Sequence, residues 1–283
     1  ITPQFLPNQS FYDIFGFHPN AIQVEMSKTA IQPGVYILEA PMGIGKTEAA
    51  LYSAYLAISR GYATGIYFAL PTQLTSNRIY ERVNEFLLKV LSPESAIRQA
   101  ILIHGTAWLY ENVDFGEEGS PSGSWFHPRK RGLLAPFGVG TIDQALMAVM
   151  NVKHGFVRTF GLAGKVVILD EVHSYDAYTG TILRELVHSL RELGCVVIIL
   201  SATLTRAKRE ELIERDMVSD AYPLVTARQL DGKVSEVSVV NEKQVSVSLS
   251  FATEDLQAVE EAILRAEKGQ QVLWIENTVA KAQ

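Results

Sequence analysis

Short β-branched runs alternate with amphipathic stretches along most of this sequence. Gly34-Val35-Tyr36-Ile37-Leu38-Glu39-Ala40 is apolar without strict alternation, the pattern of a strand buried on both faces. Residues 65–70, 100–103, 166–169 and 196–200 repeat it. Between these runs the period changes. Ile79, Val83, Leu87 and Val90 recur every three or four positions, one face of a helix that Ser92-Pro93 stops. Ile182, Leu183, Leu186 and Leu190 form a second stripe, closed by Gly194. Thr141-Ile142-Asp143-Gln144 has the form of a capping box, opening a helix through Val149. Strands alternating with helices predict an α/β fold, a mostly parallel sheet with helices on both faces.

The rhythm breaks twice. Gly116-Glu117-Glu118-Gly119-Ser120-Pro121-Ser122-Gly123-Ser124 is polar and glycine-rich, which predicts a surface loop. Beyond about Ala221, residues 234–239 and 245–249 alternate with period two, which predicts half-exposed strands. A helix over about residues 254–268, stopped by Gly269, and a strand at Gln271-Val272-Leu273-Trp274-Ile275 then begin a second αβ unit.

Composition narrows the class. A chain of 283 residues suggests about two domains. Hydrophobic residues make up 47% and charged residues 20%, so wholesale disorder is excluded. The net charge of −6 argues against coating a duplex by bulk charge, so any nucleic-acid contact must be a local groove. The single cysteine, Cys195, excludes an internal disulfide framework and fits a reducing, cytoplasmic compartment. No run approaches the ~20 apolar residues of a membrane helix. Ile1-Thr2-Pro3-Gln4 lacks the character of a signal peptide and no Met opens the chain, as expected of a piece of something longer.

Three segments carry chemistry. Ala40-Pro41-Met42-Gly43-Ile44-Gly45-Lys46-Thr47 follows a strand and opens a helix, as a phosphate-binding loop does, with Ala40 in place of the leading glycine. Gly43 and Gly45 let successive N–H groups converge on one anion, and the helix N-terminus favours the same charge. Lys46 would sit against the β/γ-phosphates and the Thr47 hydroxyl would ligate Mg²⁺. Asp170 and Glu171 follow the run 166–169, at the strand end where open α/β sheets bind their ligands. Asp170 could hold the metal through water, and Glu171 could orient and deprotonate an attacking water. Ser201-Ala202-Thr203 follows the last buried strand; its hydroxyls could report the γ-phosphate state, or cap a helix before Leu204.

In this order, phosphate loop, Asp170-Glu171-Val172-His173 and Ser201-Ala202-Thr203 resemble the DExH branch of superfamily 2 helicases. Gly138-Val139-Gly140-Thr141-Ile142-Asp143-Gln144-Ala145-Leu146, Lys153–Arg158 and Phe160 through Asp176 are similar, more closely, to the DEVH helicase-nuclease of type I CRISPR interference, over roughly residues 17–205. The resemblance implies a RecA-like first lobe at 25–222. An N-terminal segment, 1–24, precedes it, and linker strands with the start of a second lobe occupy 223–283. It adds His173 to the catalytic set with Lys46, Asp170 and Glu171, and makes ATP and Mg²⁺ the cofactors. Gln23 would read adenine, with Phe17 as a stacking partner; as residues alone, Gln23 could also be a surface polar group. Pro71, Thr72 and Arg78, and then Thr141, Asp143 and Gln144, match the two strand-tracking motifs, although Arg78 could also be a solvated helix charge. Arg129-Lys130-Arg131, beside Trp125 and Phe126, could grip a single strand by charge and stacking, or be a solvated loop.

The implied function is ATP-driven, 3′-to-5′ translocation on single-stranded DNA displaced by a guide-RNA surveillance complex, with cutting by a nuclease domain or subunit. That nuclease is built around a His-Asp dyad, and none of the six histidines here precedes an aspartate. The arginine-finger motif of the second lobe is also missing, so turnover by this chain alone is expected to be weak; a finger contributes ~10³–10⁵ in rate. Two other readings stay open: a nucleotide-dependent binding switch without translocation, and an RNA-directed DExH helicase.

Overall fold

The computed structural model describes residues 3–103, 132–150, 155–172, 177–217, 219–239 and 255–275, with Ser248 and Phe251. Ile1–Val240 form one compact unit and Asn241–Gln283 a second.

The first unit opens with α1 (Phe11–Phe15) and α2 (Ala21–Thr29), followed by β1 (Gly34–Glu39) and α3 (Lys46–Ser59). Next come β2 (Ile66–Leu70), α4 (Gln73–Val90), β3 (Ile101–Ile103), a 3₁₀ turn (Gly132–Leu134), β4 (Phe137–Thr141) and α5 (Ile142–Leu146). The unit continues through α6 (Gly155–Leu162), β5 (Val166–Leu169), α7 (Ala177–Glu192), β6 (Val196–Ser201), α8 (Arg206–Ile213), β7 (Leu224–Gln229) and β8 (Val234–Ser238). The eight strands of the described residues form one sheet in the order β3-β4-β2-β5-β6-β1-β7-β8. The first six run parallel, and β7 and β8 close the far edge as an antiparallel ribbon.

The sheet separates two cores because successive strand side chains face opposite sides. Tyr36, Leu38, Phe68, Ile168 and Ile198 pack against residues of α2, α3 and α4. Val35, Ile37, Val167, Leu169 and Ile199 pack against α5, α7 and α8. Every residue of β1, β2, β5 and β6 is buried, which is why those runs carry no alternation. The α4 stripe buries Ile79, Val83, Phe86, Leu87 and Val90, and the α7 stripe buries Leu183, Leu186, Val187 and Leu190. Gly194 ends α7 in the left-handed region at φ 69°.

Several expectations need correction. Phe137–Thr141 is a strand that hydrophobic patterning conceals, because close approach places glycines in it. A Cβ on Gly140 would lie 2.4 Å from the Ile103 carbonyl and 2.9 Å from the Tyr67 hydroxyl. The capping box at Thr141 does not form: Thr141 is the N-cap residue without a side-chain cap bond, and Gln144 Oε1 instead accepts from Arg158 Nη1 at 2.8 Å. Its helix stops at Leu146, short of Val149.

The boundary expected at 222/223 lies instead near 240, since β7 pairs with β1 and β8 with β7. β8 is half-buried along most of its length, in keeping with its period-two pattern. In the second unit, α9 (Asp255–Glu267) stands where the sequence predicts a helix and ends at Gly269, φ 76°. Residues 271–275 are not a strand; no neighbouring chain offers them a ladder among the described residues. The glycine-rich stretch 116–124, the Arg129-Lys130-Arg131 cluster, Lys153, His154, His173 and residues 245–247 and 249 lie outside the described residues.

Candidate functional site

The loop between β1 and α3 is built for close approach. Gly43 and Gly45 both sit in the left-handed region, at φ 75° and 88°. Gly45 is the N-cap of α3, and no side chain caps that helix, so its first-turn N–H groups keep their donors for a ligand.

The loop is held from behind by α2. Asn20 Nδ2 donates to the Ile44 carbonyl at 2.9 Å, and Gln23 Nε2 donates to the Gly45 carbonyl at 3.1 Å. Because trans peptides set C=O and N–H in opposite directions, the N–H groups of Gly45 and Lys46 point away from those tethers. Gln23 Oε1 accepts from the Asn20 N–H at 2.9 Å, and Asn20 Oδ1 accepts from the Gln23 N–H at 3.0 Å, a reciprocal capping box. Gln23 is 1% exposed and its amide ties the loop to α2 while also lining the cavity. Asn20 is a loop-holding residue that motif matching alone passes over; its signal was the Asn-x-x-Gln spacing at the start of α2.

Lys46 Nζ donates to the carbonyls of Ala40 and Pro41, at 2.6 and 3.1 Å. Burial pulls the Lys46 ammonium below the ordinary lysine value, and the nearby carboxylates of Asp170 and Glu171 pull it back up. Phe17, Gln23, Lys46, Thr47, Asp170 and Glu171 line one cavity of about 480 Å³, with Met42 and Ala202 also on its wall. That volume falls within the range of small-ligand sites, about 300–1,000 Å³. Arg82 of α4 reaches the same cavity, paired with Glu48 of α3.

Asp170 continues β5, donating its N–H to the Ala69 carbonyl at 3.0 Å. Its Oδ1 accepts from the Glu171 N–H at 2.9 Å. Glu171 adopts φ 53°, a left-handed conformation that costs a non-glycine residue about 1–2 kcal/mol and swings the chain sharply at the strand end. The Thr47 hydroxyl and the Asp170 carboxylate are oxygen donors facing one cavity, a set that fits a hard cation such as Mg²⁺, which keeps several of its waters.

Ser201 ends β6 in register with Glu39, and its Oγ donates to the Thr203 carbonyl at 2.9 Å. Ala202 accepts at its carbonyl from the Tyr222 hydroxyl at 2.8 Å. The cap of α8 is Thr205, not Ser201 or Thr203, so the helix-cap alternative does not account for the tripeptide.

The strand-tracking candidates gather on the same edge of the sheet. Leu70 pairs with Thr141, so the segments after β2 and β4 leave the sheet side by side, next to β5 and Asp170. Thr72 caps α4 by accepting from the Thr75 N–H, and Pro71 precedes it. Thr72, Arg78 and Asp143 are exposed, Gln144 is half-buried, and Thr141 is buried. None of them lines the cavity, which separates them from the phosphate loop. No helix among the described residues is long and apolar enough to cross a membrane.

The sequence matches the DEAD/DEAH box helicase family over residues 20–212, more than half of the chain. It is 42% identical over 224 residues to the CRISPR-associated endonuclease/helicase Cas3 of Thermus thermophilus, covering 73% of this chain and 24% of that one. The crystal structure of T. fusca Cas3-AMPPNP aligns with a TM-score of 0.74 at 34% identity, covering 88% of this chain and 30% of the other. A chain of a CRISPR RNA-guided surveillance complex, pre-nicking, aligns at 0.60 and 29% identity, covering 88% and 30%. The chain spans about a quarter to a third of the length of the curated relatives it matches. By its family match, with the phosphate loop and the Asp170-Glu171 strand end facing one cavity, the chain belongs to the DEAD/DEAH box helicases.

Proposed function

We propose that this chain is the first motor lobe of an ATP-driven single-stranded DNA translocase of CRISPR interference. The observation that carries the reading is the uncapped α3 N-terminus, with Lys46 sharing one cavity with Asp170 and Glu171. Likeness to Cas3 with AMPPNP supports ATP as the ligand, and likeness to the surveillance-complex chain supports a guide-RNA complex as the partner.

In this reading the N–H groups from Gly43 to Thr47 take up the β/γ-phosphates, and Lys46 leaves the Ala40 and Pro41 carbonyls to neutralise them. Mg²⁺, held by Thr47 and Asp170, supplies charge neutralisation on the phosphates. Gln23 reads adenine with its remaining hydrogen-bonding capacity, and Phe17 stacks on the base. Glu171 orients the attacking water and accepts its proton. His173 joins that set by its place in the Asp-Glu-Val-His motif. Ser201, Ala202 and Thr203 pass the state of the γ-phosphate to the segments beside them. Pro71, Thr72, Arg78, Thr141, Asp143 and Gln144 track phosphates of the single strand. Movement is 3′-to-5′, in the cytoplasm, with strand cutting by a nuclease domain or subunit outside this chain.

The test combines single-turnover ATP hydrolysis with single-stranded DNA binding under RNA competition. Glu171→Gln should keep Mg-ATP affinity within about threefold while abolishing hydrolysis, because only the water-activating carboxylate is lost. Lost nucleotide binding in that variant would contradict the role. RNA displacing DNA at equal concentration would favour the RNA-directed reading, and nucleotide binding with no nucleic-acid binding would favour the switch.

A further inference from the structure

β1, which leads into the phosphate loop, and β8, at the sheet edge, converge on one buried arginine. Arg209 of α8 is 3% exposed, and its Nη1 donates to Glu39 Oε2 at 2.7 Å. Its Nη2 donates to the Ser219 carbonyl, and its Nε lies 3.9 Å from Glu236 Oε1 on β8. Ser219 in turn donates its N–H to Glu236 Oε2 at 3.1 Å. One guanidinium is thus shared by two carboxylates. Burial pushes the Glu39 carboxyl up, Arg209 pulls it down, and Glu236 adds to the rise. Desolvating the buried Arg209–Glu39 pair is costly, with Glu236 half-buried beside it, so the cluster is weak evidence of a role in stability alone.

Its place in the chain is more informative. Glu39 is the last residue of β1, in register with Ser201 on one side and Leu224 on the other. The next residue, Ala40, donates its N–H to the Ser201 carbonyl at 3.2 Å and accepts Lys46 Nζ at its own carbonyl. α8 follows directly on the Ser201-Ala202-Thr203 turn. From the guanidinium to the Lys46 ammonium the contacts are continuous: the Glu39 carboxylate, then the short backbone link to the Ala40 carbonyl.

We propose that Arg209 is a positioning residue of the nucleotide site. Through Glu39 it fixes the Ala40 peptide, bonded to the Ser201 carbonyl, at the start of the phosphate loop, and through Glu236 it ties that junction to β8, the last described strand of the first unit. This rests on the nucleotide reading above. Arg209 lines no part of the cavity, so any effect on nucleotide must pass through the loop.

The experiment titrates a fluorescent Mg-ATP analogue into the full 283-residue chain and its variants, each checked for a cooperative melt. Arg209→Met and Glu39→Gln should each weaken binding about tenfold, and the double variant no further, because both break the same link. Arg209→Lys keeps the charge and should recover affinity to within about threefold of the parent. Lys208→Met, on the same helix but paired with Glu211, should bind as the parent does. Parent-like affinity in folded Arg209→Met and Glu39→Gln, or strictly additive losses in the double variant, would overturn the proposal. Should Arg209→Met not fold, Glu39→Gln and Arg209→Lys decide in the same way. A parent that binds no better than Lys46→Ala would overturn the nucleotide reading itself. A parent that binds well alongside equally good Arg209 variants would remove the positioning role alone.

Discussion

Two helices start from the same edge of the sheet, and they start differently. α3 leaves β1 through Gly45 at φ 88° with no side-chain cap bond at its start, whereas α4 leaves β2 with Thr72 accepting from the Thr75 N–H at 3.2 Å. A capped terminus has used a donor; an uncapped one beside Lys46 holds its donors for an anion. The rest of the first unit follows the same division. On the phosphate side, α2 grips the loop by carbonyls, at Ile44 and Gly45. On the strand-tracking side the polar groups close on one another, Arg158 on Gln144 and Tyr67 on the Thr141 carbonyl, and at the opposite ends of the strands Lys165 closes on the carbonyls of Leu133 and Ala135. A ligand site is recognisable here as the place where the chain forgoes a local hydrogen bond it could have made.

The largest break in that comparison would come from Gly45→Ala. A Cβ there would lie 2.3 Å from Gln23 Nε2, on a backbone at φ 88° that side chains rarely adopt. Nucleotide affinity should fall at least about 100-fold, with about 1–3 kcal/mol of stability, read by calorimetric titration and thermal melting. Unchanged affinity would mean the preformed loop is not what holds the ligand.

The next test moves to the N-terminal ends of the strands, away from both helix starts. Lys165 is buried with its ammonium on two carbonyls, and burial pulls it down to about 7. The unfolded chain then binds more protons than the folded one between pH 7 and the ordinary lysine value, so stability should rise with pH across that window. From pH 7 to 9.5 the gain should reach about 2–3 kcal/mol, and Lys165→Met should remove the slope without changing nucleotide affinity. A flat parent profile would show that Lys165 is not held below its usual protonation range. A smaller effect is expected from Thr72→Ala: about 1 kcal/mol of stability lost with the cap, and nucleotide affinity within about twofold. A tenfold loss of nucleotide binding there would erase the distinction between the two termini.

How much of this was legible depended on which force shaped each segment. The runs that became β1, β2, β5 and β6 are buried on both faces, so burial alone wrote them into the sequence. The phosphate loop was legible because positive φ at Gly43 and Gly45 demands glycine. β4 was not, because there the glycines answer to a neighbour, Ile103 and Tyr67, that no local pattern reveals. β7, Leu-Val-Thr-Ala-Arg-Gln, buries its first four residues and ends in polar ones, so it carries neither a continuous apolar run nor a clean alternation. The capping box at Thr141 failed for a tertiary reason, since Arg158 recruits Gln144. Within the site, Lys46, Thr47, Asp170 and Glu171 came from motifs and do face one cavity. Asn20, Glu39 and Arg209 act through partners far away in sequence, and only the fold brings those partners together.

The most direct measurement is calorimetric titration of Mg-ATP into this chain and into Lys46→Ala. One-to-one binding in the parent, lost in the variant while its thermal melt stays cooperative, is the result expected of an anion site at the α3 N-terminus. Equal binding by both proteins would contradict it, and would move the nucleotide away from the loop on which the account rests.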